Sequence, residues 1–150
     1  LTRNRLDHQR LWRRFFSRVD RSGYTIYVHG HPNFSFTNPN NFFKDLQISN
    51  RVEVAWGTHS LVAAERRLLR KALEDPANQR FVLLSESCIP LYTFSYVRAA
   101  LFSTNLSGVD ACTDTAHKLM IQRRQKLTKE LNKVNSTKDL WRKSSQWFML

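Results

Sequence analysis

The sequence predicts an α/β domain, a mainly parallel sheet flanked by helices, and three observations carry that expectation. Short β-branched and aromatic runs recur: Tyr24-Thr25-Ile26-Tyr27-Val28-His29, Val52-Glu53-Val54-Ala55-Trp56 and Arg80-Phe81-Val82-Leu83-Leu84-Ser85. Each is too short for a helix and is bounded by turn signals. Between and around them lie stretches whose apolar residues fall at helical spacing, the alternation that builds α/β layers. The chain begins without Met and closes on Trp147-Phe148-Met149-Leu150, an apolar run of the kind that continues into a buried strand. The expected domain is therefore an incomplete one.

Taken in order, Leu6 to Val19 places Leu11, Trp12, Phe15, Phe16 and Val19 on one helical face and Arg10, Arg13, Arg14 and Arg18 on the other. Ser22-Gly23 breaks the pattern before the first strand. Gly30 to Asn41, rich in Pro, Asn and Ser, reads as a loop. The second strand ends at Gly57, and a helix begins near Thr58 or Ser60, either of which can cap it. Leu61, Ala64, Leu68, Ala72 and Leu73 form its apolar stripe, and Asp75-Pro76 stops it. The run to Ser85 is the most strand-like and is expected at the sheet's centre. A helix follows from Thr93 to Phe102, then a short strand over Gly108 to Ala111. In Ala116 to Val134, Met120, Leu127, Leu131 and Val134 make a seam among Lys118, Arg123, Arg124, Lys126, Lys129 and Lys133. That segment reads as a basic amphipathic helix.

Composition narrows the class of protein. With 150 residues, 41% of them hydrophobic, the chain is globular and neither disordered nor fibrous. Lys and Arg number 24 against 12 Asp and Glu, a net charge of +12. Such a field attracts nucleic acid, anionic membrane or phosphorylated small molecules, although a charge run is usually a solvated face. A basic nucleic-acid-binding module is thus one reading, but the basic residues join no recognisable binding motif. Cys88 and Cys112 make neither a disulfide framework nor a zinc site. Sequons at Asn33-Phe34-Ser35, Asn105-Leu106-Ser107 and Asn135-Ser136-Thr137 lean toward the secretory lumen. No run has the roughly 20 apolar residues of a membrane span, and no signal peptide opens the chain. An anchor, if the parent protein has one, is expected upstream of Leu1.

In an open parallel sheet, ligands bind beyond the carboxyl ends of the strands. That rule selects His29-Gly30-His31, Trp56-Gly57-Thr58 and Ser85-Glu86-Ser87-Cys88. The second also opens a helix, whose free N–H groups and dipole favour an anion such as a diphosphate. Each has a plainer reading. A strand-end His is more often a structural hydrogen-bonding residue, Gly57 can serve only a tight turn, and Glu86 can be a solvated carboxylate. Cys88, close to Pro90, reads as a buried thiol rather than a nucleophile. There is no dinucleotide fingerprint, P-loop or nucleophile elbow.

Longer blocks carry more information. Val54-Ala55-Trp56-Gly57 through Ser60-Leu61-Val62-Ala63-Ala64-Glu65-Arg66-Arg67-Leu68-Leu69, then Asp75-Pro76-Ala77-Asn78, then Arg80 through Ser85-Glu86-Ser87-Cys88-Ile89-Pro90-Leu91-Tyr92, resemble plant and algal members of the core-2/I-branching glycosyltransferase family. Flanking matches at Leu11-Trp12, Phe15-Phe16, Ile26-Tyr27-Val28-His29 and Trp141 to Phe148 extend the resemblance over nearly the whole chain.

The resemblance implies a GT-A-type, Rossmann-like fold and an inverting, metal-independent transfer of a sugar from a UDP-sugar to a glycan or glycoprotein hydroxyl, with no cofactor. The implied donor sugar is N-acetylglucosamine, with glucuronic acid also open, and no nucleic-acid partner is implied. By resemblance, Val28, His29, Trp56, Gly57, Thr58 and Ser60 line the nucleotide-sugar pocket. Ser85, Glu86, Ser87, Cys88, Pro90 and Trp147 lie near the donor sugar and acceptor. The family's Asp-x-Asp-free chemistry needs a carboxylate base and basic residues for the diphosphate, both expected beyond Leu150. The implied setting is the lumenal side of the Golgi membrane, reached as a type II membrane protein through an anchor outside this chain. Cys88 stands where animal members carry Asp, and Ala116 to Val134 departs as a basic helical insertion. The fragment alone is expected to be inactive, and an inactive transferase-like binding domain is a further alternative.

Overall fold

The computed structural model describes residues 6–56, 58–112 and 143–149, with side chains excluded in the two strands beyond Gly108. The expected helix over Ala116 to Val134 and the turn residue Gly57 lie outside them. Two compact units divide the chain, Leu1–Leu106 with Met149–Leu150, and Ser107–Phe148.

In the first unit, α1 runs over Gln9–Phe16 and leaves its arginines, Arg10, Arg13 and Arg14, exposed, as the amphipathic pattern requires. His8, at φ 60°, turns the chain into this helix without a side-chain cap. Trp12, Phe15 and Phe16 are the anchoring face. Phe16 stacks on Tyr24 at 4.2 Å between ring centroids and lies 5.9 Å from Phe94, while Phe15 meets Phe94 edge-on at 5.6 Å. Phe42 completes the cluster 6.2 Å from Phe16. These offset and edge-on geometries are the ones favoured by ring quadrupoles. Leu11, expected on the apolar face, is instead exposed.

α2 runs over His59–Ala72, and its N-cap is Thr58, whose hydroxyl accepts the Ser60 N–H. Ala64, Leu68 and Ala72 are buried along one stripe and Leu61 is half-buried. Leu73 falls outside that stripe: it is the C-cap and is 65% exposed. The Asp75-Pro76-Ala77-Asn78 turn that follows does more than stop the helix. Asn78 Nδ2 donates to the Ala72 carbonyl at 2.8 Å, and Asn78 Oδ1 accepts the Thr25 hydroxyl at 2.7 Å. The turn thereby ties the end of α2 to the extended segment. α3 spans Phe94–Phe102, capped by Thr93, whose hydroxyl accepts the Tyr96 N–H.

The strand expectations need correction. Tyr24 to His29, Val52 to Trp56 and Arg80 to Ser85 are not regular strands. Among the described residues of this unit, the pairing whose two partners are defined is one parallel bridge between Val28 and Gln47. Val28 N–H donates to Leu46 O at 2.8 Å, and Ile48 N–H returns to Val28 O at 2.9 Å. A run of β-formers becomes a strand only when a neighbour accepts its backbone groups along a ladder, so propensity alone does not make one. The mainly parallel sheet is therefore absent among the described residues, although the Val28–Gln47 bridge has the expected parallel sense. Val28 and Leu83 of the expected strands are nonetheless buried, as are Phe43 and Ile48 between them in sequence and the α2 residues Ala64, Leu68 and Ala72.

β1, Gly108–Cys112, is hydrogen-bonded to β2, Lys143–Met149, and all of this pair but Met149 falls in the second unit. The short strand read over Gly108 to Ala111 is thus present, and the aromatic run at Trp147 lies in a strand.

Burial on α2 yields a contrast. Leu68→Ala removes a buried side chain and is expected to cost about 2–4 kcal/mol, while Leu73→Ala stays within about 0.5 kcal/mol. Urea unfolding of the two variants measures the difference.

Candidate functional site

The His29 imidazole is 1% exposed, the largest fully buried side chain among the described residues. Its Nε2 accepts the Val52 N–H at 3.1 Å. A ring nitrogen that accepts is unprotonated, so His29 is held as the neutral tautomer with its proton on Nδ1. Burial lowers its pKa to about 4, the cationic Arg51 and Arg67 push the same way, and a backbone hydrogen bond within His29 opposes them. The ring thus accepts a backbone hydrogen bond from a buried position. Val28, beside it, is buried in the parallel bridge.

Val52 leads into the turn that opens α2. There the Thr58 hydroxyl donates to Ala55 O at 2.9 Å and lies 2.7 Å from Ser60 Oγ, while Ser60 Oγ accepts the Ala55 N–H at 3.0 Å. Two hydroxyls and the start of a helix thus converge on one short turn, where backbone N–H groups and the helix dipole suit an anion. The first turn of α2 contains no acidic residue that would oppose one. Trp56, in the same turn, is 66% exposed.

Ser85 to Cys88 form a turn of their own, closed by Cys88 N–H donating to Ser85 O at 3.3 Å. Ser85 Oγ lies 2.9 Å from Ser87 Oγ and 3.3 Å from the Cys88 thiol, which also accepts the Ser85 N–H at 3.3 Å. Cys88 is a half-buried free thiol, consistent with a packing role. Glu86 is half-buried and makes no hydrogen bond or ion pair among the described residues. Pro90 is half-buried as well. Trp147 lies in β2, in the other unit. No group of three or more His, Cys, Asp or Glu side chains is placed to hold a metal ion among the described residues.

Two features around these turns escape the sequence pattern. Arg51 Nη1 donates to the carbonyls of His31 and Phe34 at 3.0 and 2.7 Å, fixing the loop that follows His29. Glu65, on α2, has its carboxyl pKa raised by burial. Neither carries a local signal, because Arg51 is bonded to backbone groups 17 and 20 residues away and the burial of Glu65 is set by tertiary packing. No helix among the described residues is long and apolar enough to cross a membrane.

Comparison with known proteins extends this picture. The family model described as Core-2/I-Branching enzyme matches residues 1–150. A curated protein of Oryza sativa subsp. japonica, Glycosyltransferase BC10, is 40% identical over 154 residues, an alignment covering 100% of this chain and 36% of that protein. The chain therefore spans little more than a third of the length of this relative. No solved structure matches it.

The buried imidazole makes a pH prediction. His29 binds a proton near 6.5 when unfolded and near 4 when folded, so the unfolded state takes up protons first as the pH falls. Its stabilising contribution is complete above about pH 6.5 and is lost progressively toward about pH 4, a decline on the order of 2 kcal/mol. Urea midpoints across this range should fall for the wild type and fall less for His29→Gln.

Proposed function

Because the chain belongs to the Core-2/I-Branching enzyme family, we propose that it forms the nucleotide-sugar side of a glycosyltransferase. The reaction moves a sugar, N-acetylglucosamine in this reading, from a UDP-sugar to a hydroxyl of a glycan or glycoprotein. One observation carries the proposal: the family match runs over residues 1–150, and the rice relative that shares 40% identity is named a glycosyltransferase.

The chemistry assigns work to each part. The acceptor hydroxyl oxygen attacks the anomeric carbon as its proton passes to a carboxylate, and the bond from that carbon to the diphosphate breaks on the opposite face. Attack opposite the leaving group inverts the anomeric centre. Negative charge grows on the departing diphosphate and needs fixed donors or cations around it. The start of α2 suits that need through its first-turn N–H groups and its lack of a first-turn carboxylate, while the Thr58 and Ser60 hydroxyls hold the turn itself in shape. Trp56 offers an exposed ring at the same turn, and His29 with Val28 sets its position through Val52. Ser85 to Pro90 are assigned to the donor sugar and acceptor. The base and the basic residues for the diphosphate are assigned to the parent protein beyond Leu150, without a metal ion. The parent is assigned to the Golgi lumen, held by an anchor outside this chain.

The direct experiment incubates the full-length parent protein with UDP-N-acetylglucosamine or UDP-glucuronic acid and glycan acceptors, with and without EDTA. Transfer with inverted anomeric configuration that persists in EDTA is expected, and residues 1–150 alone should transfer nothing. Failure of the parent to transfer from any UDP-sugar overturns the catalytic reading, and abolition by EDTA overturns its metal-independent part.

A further inference from the structure

We propose that Asn33 is a modification site, the acceptor of an N-linked glycan, with Asn33-Phe34-Ser35 as its sequon. The proposal rests on the lumenal setting of the transferase reading, where such a sequon meets an oligosaccharyltransferase, and it concerns a residue that the transfer reaction does not use. Of the three sequons in the chain, Asn105-Leu106-Ser107 runs across the division between the two units, and Asn135-Ser136-Thr137 lies outside the described residues. Asn33 is the acceptor whose surroundings are defined.

The local structure turns the two residues that the chemistry needs toward solvent. Phe34 N–H donates to His31 O at 2.8 Å, closing a turn with Pro32 and Asn33 at its centre, and Pro32 supplies the fixed φ that its position favours. Exposure then alternates along the chain: Asn33, Ser35 and Thr37 are exposed, while Phe34 and Phe36 are half-buried and meet edge-on with ring centroids 4.9 Å apart. A period of two is that of extended chain, in which residues i and i+2 share one side. Arg51 holds the inner side, its Nη1 donating to the His31 and Phe34 carbonyls at 3.0 and 2.7 Å.

The plainer role of an Asn in such a loop is to bond the backbone two residues on. Asn38 and Asn41 do this, accepting the Asn40 and Phe43 N–H groups at 2.9 Å each. The Asn33 amide makes no hydrogen bond among the described residues, and the corresponding bond at its turn comes from His31, whose Nδ1 accepts the Asn33 N–H at 3.2 Å. The Ser35 hydroxyl is likewise unengaged among the described residues. A glycan is bulky and belongs on the surface, and one attached to Asn33 enters solvent without displacing a contact. In the modification, Asn33 Nδ2 attacks C1 of an oligosaccharide carried on a polyprenyl diphosphate. The N–C1 bond forms, the C1–O bond to the diphosphate breaks with its electron pair leaving on the diphosphate, and one Nδ2 proton passes to a base of the oligosaccharyltransferase. No oxidant or reductant is needed.

Mass spectrometry of tryptic peptides from the full-length parent protein, produced in a eukaryotic secretory host, tests the site. Residues 22–44, 99–118 and 134–138 are separate tryptic peptides with one sequon each, so occupancy is read at each Asn independently. The expected result is a glycopeptide over residues 22–44, in which peptide N-glycosidase converts Asn33 to aspartate with uptake of isotope-labelled oxygen from the solvent. Asn33→Gln and Ser35→Ala should each abolish that glycopeptide and increase gel mobility by one step, and Ser35→Thr, which keeps the hydroxyl, should retain it. An unmodified 22–44 peptide in the wild type overturns the proposal, as does occupancy that survives Ser35→Ala. Glycan found only on the other two peptides removes Asn33 as the acceptor and leaves the lumenal reading standing. A UDP-sugar transfer assay on the same preparation separates the two claims: transfer with Asn33 unmodified overturns this proposal alone, and occupancy at Asn33 without transfer from any UDP-sugar supports it while the catalytic reading falls.

Discussion

The buried imidazole of His29, taking the Val52 N–H on Nε2, fixes where the second extended run starts and hence where the turn into α2 lies. Neither run has a regular ladder to hold it. In place of one, the segment from Tyr24 to His29 is secured at three points by different chemistry: the Val28 bridge to Gln47, the Thr25 hydroxyl on Asn78, and the His29 ring on Val52. Arg51 then holds the following loop through the carbonyls of His31 and Phe34. A buried backbone N–H without a partner is costly, so the neutral ring satisfies Val52 only while it remains unprotonated.

The helices rest on a separate constraint. α1 and α3 meet through Trp12, Phe15, Phe16 and Phe94, with Tyr24 and Phe42 bringing the extended segment and its loop into the same cluster. α2 is fastened by its alanine and leucine stripe and by Asn78 on the carbonyl of Ala72. The two candidate regions use the same local device, a Ser or Thr hydroxyl turned back on the backbone at the start of a helix or turn. At Thr58 and Ser60 this gathers hydroxyls at the α2 terminus, and at Ser85 and Ser87 it shapes the turn before α3.

What the sequence makes legible follows from how local each interaction is. The three helices were readable because stripes and caps lie within a few residues: Thr58 and Thr93 are capping residues in the structure, and Asp75-Pro76 follows the end of α2. The extended runs were legible as extended but not in their pairing. The partner of Val28 is Leu46-Gln47-Ile48, an alternating segment too short and too close to the turn at Lys44–Leu46 to stand out as a strand, and contacts of that kind are fixed by tertiary packing. The site divides in the same way. The Thr58 and Ser85 turns were placed at run ends by the chain pattern, whereas Arg51 and Asn78 bond to distant backbone or polar partners and leave no trace in spacing. For His29 the sequence leaves two roles open, and its burial and 3.1 Å bond to the Val52 N–H are set by tertiary packing that spacing does not reveal.

The most direct test of this account is the protonation state of His29 itself, read from long-range 15N–1H correlations of the imidazole from about pH 8 to about pH 5. The account predicts an unprotonated Nε2 and a protonated Nδ1 throughout, with the Val52 amide protected from exchange. A ring that titrates near its ordinary value, or one bearing its proton on Nε2 while the chain is folded, contradicts it.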